Sequence, residues 1–130
     1  MNVLVDSSVW IALLRGADIP EVRRLRAIDA PDEILLGDLV LLEVLQGARD
    51  DAHAERIERN LRQFPIEPVL GEGIAILAAR NDRLLRARGV TVRKTIDVIL
   101  GTFCIARGYA LLHADRDFAP MTTHLGLRQA

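Results

Sequence analysis

Short apolar runs alternate with longer amphipathic stretches along this chain, and the alternation predicts strands separated by helices. Val3-Leu4-Val5 is an apolar run of β-branched character ending at Asp6, and it reads as a buried strand. Asp6-Ser7-Ser8 then offers N-cap chemistry for a helix over about 9–14, stopped by Gly16. Pro20 suits the first turn of a second helix, in which Val22, Leu25 and Ile28 recur at helical spacing. Ile34-Leu35-Leu36 predicts a second strand, with Asp38 capping a helix over 39–46 that Gly47 ends. A more polar helix is expected over 51–62, turning Ile57, Leu61 and Phe64 inward. Residues 66–70, beside two prolines, predict a third strand, followed by a helix over 74–88 that Gly89 ends. Thr95 is expected to cap a helix through Arg107, and Ala110-Leu111-Leu112-His113 to form the last strand. Strands alternating with helices imply an α/β fold with a central parallel sheet covered on both faces. No internal repeat, low-complexity tract or linker divides the 130 residues, so one domain over 1–130 is expected.

Composition narrows the classes. Half the residues are hydrophobic, enough for a sizeable core, which excludes a disordered chain. Seventeen basic against eighteen acidic side chains give a net charge of −1, so the chain is no globally basic nucleic-acid coat. The few aromatic residues argue against a stacking platform for single strands. One cysteine makes no internal disulfide, consistent with a reducing cytoplasm. The N-terminus lacks the basic and long apolar regions of a signal peptide, and no apolar stretch approaches the ~20 residues that span a bilayer.

Several carboxylates stand where a core would not readily place them. Asp6 follows the first strand directly, at the end where open parallel sheets bind ligands; a helix cap is the plainer reading. Glu43 interrupts an otherwise apolar helix and has no basic neighbour three or four residues away, so it is either a solvated surface charge or an inward one needing a partner. Asp97 lies near the start of an apolar helix, where dipole stabilisation alone could explain it. Asp115 and Asp117 follow the last strand, as turn residues also do. Together the signals are stronger, because strand ends and helix starts would converge on one crevice. Like charges so close resist ionising together, and a divalent cation removes that penalty. Oxygen-only ligands suit Mg²⁺ or Mn²⁺, whereas His53, His113 and His124 are too scattered for zinc. An all-carboxylate Mg²⁺ site suits phosphodiester hydrolysis and needs no protein nucleophile.

Val5-Asp6-Ser7-Ser8-Val9-Trp10-Ile11, Leu42-Glu43-Val44-Leu45-Gln46-Gly47, Thr95-Ile96-Asp97 and His113-Ala114-Asp115-Arg116-Asp117-Phe118 resemble the PIN-domain family, and within it the VapC-type toxins of bacterial toxin–antitoxin systems. The likeness runs from residue 3 to about 127, in order. It implies an α/β/α sandwich acting as a Mg²⁺- or Mn²⁺-dependent endoribonuclease. The family's acidic residues carry over onto Asp6, Glu43, Asp97 and Asp115, with Asp117 as an accessory carboxylate on the metal side. Its small hydroxyl residue falls on Ser8. The resemblance also implies a VapB-type antitoxin, homodimerisation and a structured RNA substrate such as tRNA. One departure stands out: many members have Thr where this chain has His113, and that Thr helps order the end of the last strand.

Arg80, Arg83 and Arg86 form one helix stripe and Arg93-Lys94 precede Asp97, so either group could meet phosphates or simply be solvated. Three rival readings remain at this stage. A phosphorelay receiver would show an acidic pair at the first strand's end and a lysine beyond its later Asp, yet Ser7-Ser8 follow Asp6 and the only lysine, Lys94, precedes Asp97. A haloacid-dehalogenase-type hydrolase wants a second Asp at position 8, which is Ser. The third is a non-catalytic binding module on a PIN fold.

Overall fold

The computed structural model describes residues 1–130. Five strands form one sheet: β1 (Val3–Val5), β2 (Ile34–Gly37), β3 (Ile66–Glu67), β4 (Ala110–Leu112) and β5 (Arg128–Gln129). Their order is β3-β2-β1-β4-β5, and every neighbouring pair is parallel. Val3 stands opposite Ile34 on one side and Ala110 on the other. The three central strands are buried throughout, which is why they read as unbroken apolar runs rather than alternating ones.

Seven helices cover the sheet: α1 (Ser7–Leu14), α2 (Pro20–Arg26), α3 (Asp38–Gln46), α4 (Asp51–Leu61), α5 (Glu72–Ala87), α6 (Thr95–Arg107) and α7 (Ala119–Leu125). Their contacts form two groups, α1 with α2 and α3 and α3 with α4, against α5 with α6 and α7. Since crossovers between parallel strands are right-handed almost without exception, this strand order puts those groups on opposite faces. The chain walks outward from β1 to β3, then returns to the other side of β1 with β4. That reversal between β1 and β4 is the switch point where open parallel sheets leave a crevice. Leu4, Val5, Leu36, Leu111 and Leu112 fill the sheet, and Trp10 packs on Phe64 with centroids 5.1 Å apart. Gly101 lets α6 approach α7, since a Cβ there would run into Met121 Sδ. Gly108, at φ 70°, ends α6 in the left-handed region that favours glycine. No helix is long and apolar enough to cross a membrane.

Several boundaries differ from the sequence expectations. β3 stops at Glu67, because Pro68 has no N–H to continue a ladder. Asp38 is the first residue of α3 rather than its cap; its Oδ1 accepts from the N–H groups of Leu39 (2.8 Å) and Val69 (3.0 Å), tying the helix start to the loop after β3. Lys94, not Thr95, is the N-cap of α6, and no side chain caps it. β4 ends at Leu112, leaving His113 just beyond the sheet, and it is not the last strand: α7 and β5 follow.

Candidate metal centre

Asp6 is carried to the crevice by β1, and its backbone N–H extends the sheet ladder to Leu112 O at 2.9 Å. It also caps α1. Its Oδ2 accepts from the Ser8 N–H at 3.1 Å and from Ser8 Oγ at 2.6 Å. The same Ser8 Oγ accepts the Ala114 N–H at 3.1 Å, so one hydroxyl bridges the ends of β1 and β4.

Asp97 enters from the other layer, in the first turn of α6, and is 3 % exposed. Its Oδ2 is buried with no hydrogen-bond partner. Burial, then the nearby Asp6 charge, pushes its pKa up to about 7, against the opposing pull of Lys94. Asp115 stands past β4, with Oδ1 capping the short 3₁₀ turn Arg116–Phe118 by accepting from the Asp117 N–H at 2.9 Å. Its Oδ2 lies 3.5 Å from Lys94 Nζ. One carboxylate oxygen each from Asp97, Asp115 and Asp117 lie within 4.8 Å of one another.

Glu43 reaches the crevice from the middle of α3 rather than from a helix start. It is half-buried, and Ser7 Oγ donates to its Oε1 at 3.3 Å. Burial raises its pKa, and the Asp6 charge adds to that. The carboxylates thus fall into the tight trio of Asp97, Asp115 and Asp117, with Asp6 and Glu43 coupled to it electrostatically.

His113 is buried with its ring on Phe118 (4.7 Å between centroids), and its Nδ1 accepts the Asp115 N–H at 3.3 Å. Burial lowers its pKa, so the neutral ring is favoured. The end of β4 is therefore ordered by Ser8 and His113 without a threonine. Sequence reasoning left out Ser7 against Glu43, and it read Lys94 as a candidate phosphate contact rather than as the partner of Asp115. The first had a local signal, its place next to Asp6; the second pairs residues with no sequence proximity. Of the arginine stripe on α5, Arg86 is tied to Asp82 at 3.2 Å, and all three arginines are exposed. The largest cavity, about 470 Å³, lies between α5 and the start of α6; its walls are mostly apolar and include none of the five carboxylates.

Ionising Asp97, which is buried beside other carboxylates and has one oxygen unpartnered, calls for a compensating charge. The donor set is entirely carboxylate oxygen, which suits a hard divalent cation and gives a soft metal nothing to bind. The residues present therefore fit Mg²⁺ or Mn²⁺.

Comparison with solved structures gives the same architecture. VapBC2 from Rickettsia felis, solved bound to a promoter DNA fragment, aligns over 100% of this chain and 98% of its own, with 12% identity and a TM-score of 0.79. VapBC-1 from nontypeable Haemophilus influenzae aligns over 100% and 97%, with 16% identity and a TM-score of 0.78. VapC20 from Mycobacterium tuberculosis, described as a toxin that cleaves the sarcin–ricin loop, aligns over 91% and 93%, with 20% identity and a TM-score of 0.68. At such identities the likeness is one of fold. The sequence itself matches the PIN domain model over residues 3–122, nearly its whole length. The parallel sheet with its acidic crevice and that match agree: this chain belongs to the PIN domain family.

Proposed function

We propose that the chain is a divalent-cation-dependent endoribonuclease and the toxin half of a VapBC-type pair. The observation that carries the reading is that Asp97, whose Oδ2 is buried and unpartnered, brings a carboxylate oxygen within 4.8 Å of those of Asp115 and Asp117. An orphaned carboxylate oxygen in that setting is costly unless a cation satisfies it. Asp6, Asp97, Asp115 and Asp117 would hold Mg²⁺ or Mn²⁺, which when bound activates water and neutralises charge on the departing oxygen.

The chain's own residues supply the rest. Ser8 fixes the Asp6 carboxylate and also holds the Ala114 backbone, one residue before Asp115, so the ends of neighbouring strands share one support. Ser7 engages only Oε1 of Glu43, leaving Oε2 to take a proton from an attacking water. The raised pKa of Glu43 moves it toward the range where a general base works near neutral pH. Arg93, exposed just before α6, would meet phosphates of the bound strand.

The fold likeness to VapBC complexes and to a toxin described as cleaving the sarcin–ricin loop supports RNA as the substrate class. By the same likeness a VapB-type antitoxin is the partner, with structured RNA such as tRNA as target, a homodimer as the assembly and the cytoplasm as the place of action. The receiver and dehalogenase readings fall with the family match.

Purified protein freed of partners is expected to cleave RNA with Mg²⁺ or Mn²⁺ and to stop in chelator. Products are expected to carry 5′-phosphates. Cleavage that persists in chelator, or 2′,3′-cyclic phosphate ends, overturns the scheme. A folded protein that binds the cation and never cleaves points to the non-catalytic PIN module instead. Expression of the chain alone is expected to arrest a bacterial host, and Asp97→Asn to relieve the arrest while staying soluble. An equally toxic D97N variant would place the chemistry elsewhere.

A further inference from the structure

Lys94 is the only lysine in a chain with sixteen arginines, and it stands at the mouth of the acidic crevice. Its backbone caps α6, three residues before Asp97, and its Nζ lies 3.5 Å from Asp115 Oδ2. Of the six ion pairs in the structure, this is the one that involves a crevice carboxylate. It is also the basic group that acts electrostatically on both Asp97 and Glu43. Those interactions are mutual: Asp97 first, then Asp115, raise the pKa of the Lys94 ammonium.

We propose that Lys94 is a built-in counter-charge that holds the crevice while it lacks a cation, and so sets how tightly the crevice takes a divalent ion. The inference rests on the reading of these carboxylates as a cation site. Residue type matters here. An arginine would grip Asp115 with two parallel hydrogen bonds, whereas lysine is a compact, strongly hydrated point charge on a flexible stem. The Lys94 side chain is 58 % exposed against 24 % for Asp115, so the ammonium reaches in from solvent and can return to it. One positive charge at the rim only partly offsets the carboxylates; a divalent ion among their oxygens offsets more. The two cations therefore compete for the same field, and Asp115 is the ligand they share. Lys94 is thus a positioning residue for Asp115, and it is released when the ion enters.

The test is calorimetric titration of the full chain with Mn²⁺, paired with thermal unfolding in chelator, for the parent, K94M and K94R. K94M is expected to bind Mn²⁺ roughly three- to tenfold more tightly, as removal of an exposed competing charge allows. The same variant is expected to melt lower in chelator, because its carboxylates then face one another uncompensated. K94R is expected to bind no more tightly than the parent. If the parent binds Mn²⁺ and K94M matches it in affinity, the counter-charge role is overturned while the cation site stands. If K94M melts lower but binds Mn²⁺ as the parent does, Lys94 is only a helix-end support. If neither the parent nor any variant binds Mn²⁺, the reading of the crevice as a cation site fails first and takes this role with it.

Discussion

Ser8 Oγ lies 2.6 Å from Asp6 Oδ2, and through that contact it also carries the backbone of the neighbouring strand, accepting the Ala114 N–H at 3.1 Å. A single hydroxyl donates to one side of the switch point and accepts from the other. Ser8→Ala removes both bonds and leaves a buried carboxylate short of a donor. The expected loss is about 1–2 kcal/mol of unfolding free energy, measured by urea denaturation. Ser8→Thr keeps the hydroxyl and is expected to recover most of it. An S8A variant as stable as the parent would reduce the bridge to a contact without weight.

Mutual repulsion in the crevice gives a second expectation. Glu43 is raised by burial and by Asp6, with Asp115 adding a smaller push. Glu43→Gln keeps an acceptor for Ser7 Oγ and removes the charge. In chelator it is expected to melt higher than the parent, by an amount on the order of 1 kcal/mol. Mg²⁺ is expected to raise the melting temperature of the parent by mass action and that of E43Q by less. If E43Q melts lower in chelator and Mg²⁺ shifts both alike, Glu43 supports structure and takes no part in the cation site.

Asp97 gives a pH signature. Its pKa rises from about 3.8 to about 7 on folding, so between those values the folded chain holds a proton that the unfolded chain has lost. Its contribution is therefore most favourable below about pH 4 and declines as pH climbs toward 7. In chelator that decline is on the order of a few kcal/mol, and Asp97→Asn, which never ionises, abolishes it. The quantity to read is the difference between parent and D97N in urea stability at pH 4.5 and pH 7.5. A difference that stays constant between the two pH values removes the argument for a desolvated Asp97 beside other carboxylates.

Much of this was legible in the residues. Val3-Leu4-Val5 followed by Asp6 announces a buried strand ending in a carboxylate, and both layers of the fold follow from strands spaced by helices. What stayed hidden lacks a local signal. β5 consists of two polar, exposed residues, Arg128 and Gln129, that pair only because β4 offers an edge. α7 is seven residues with a single fully buried side chain, Met121, so its periodicity is too short to register. The start of α6 misled because Thr95 looks like a cap, whereas the chain enters the helix one residue earlier on Lys94 with no side-chain acceptor. The carboxylates could be nominated one by one, but which three form the tight trio depends on how α6 packs against β4 and the turn that follows it.

Packing between α6 and α7 supplies a fourth expectation. A methyl at Gly101 meets the sulfur of Met121, a fully buried side chain that must shift to admit it. Gly101→Ala gains up to about 1 kcal/mol of helix propensity, yet overpacking is expected to outweigh it and leave a net loss of about 1–3 kcal/mol. In a double-mutant cycle, Met121→Ala is expected to cost less in the G101A background than in the parent. Additive losses would show that the two residues do not press on each other.

The pairing of β1 with β4 joins segments more than a hundred residues apart. A chain emerging from the ribosome therefore exposes Asp6 and Glu43 well before their counterparts after β4. Until then β1 has only β2 beside it, and the crevice does not exist. Such long-range closure is slow by nature, since loop entropy is spent before the contacts that repay it can form. For a polypeptide proposed to cut RNA, that delay is a safeguard: the earlier part of the chain is made without its acidic crevice, which forms only once β4 and the carboxylates after it have emerged.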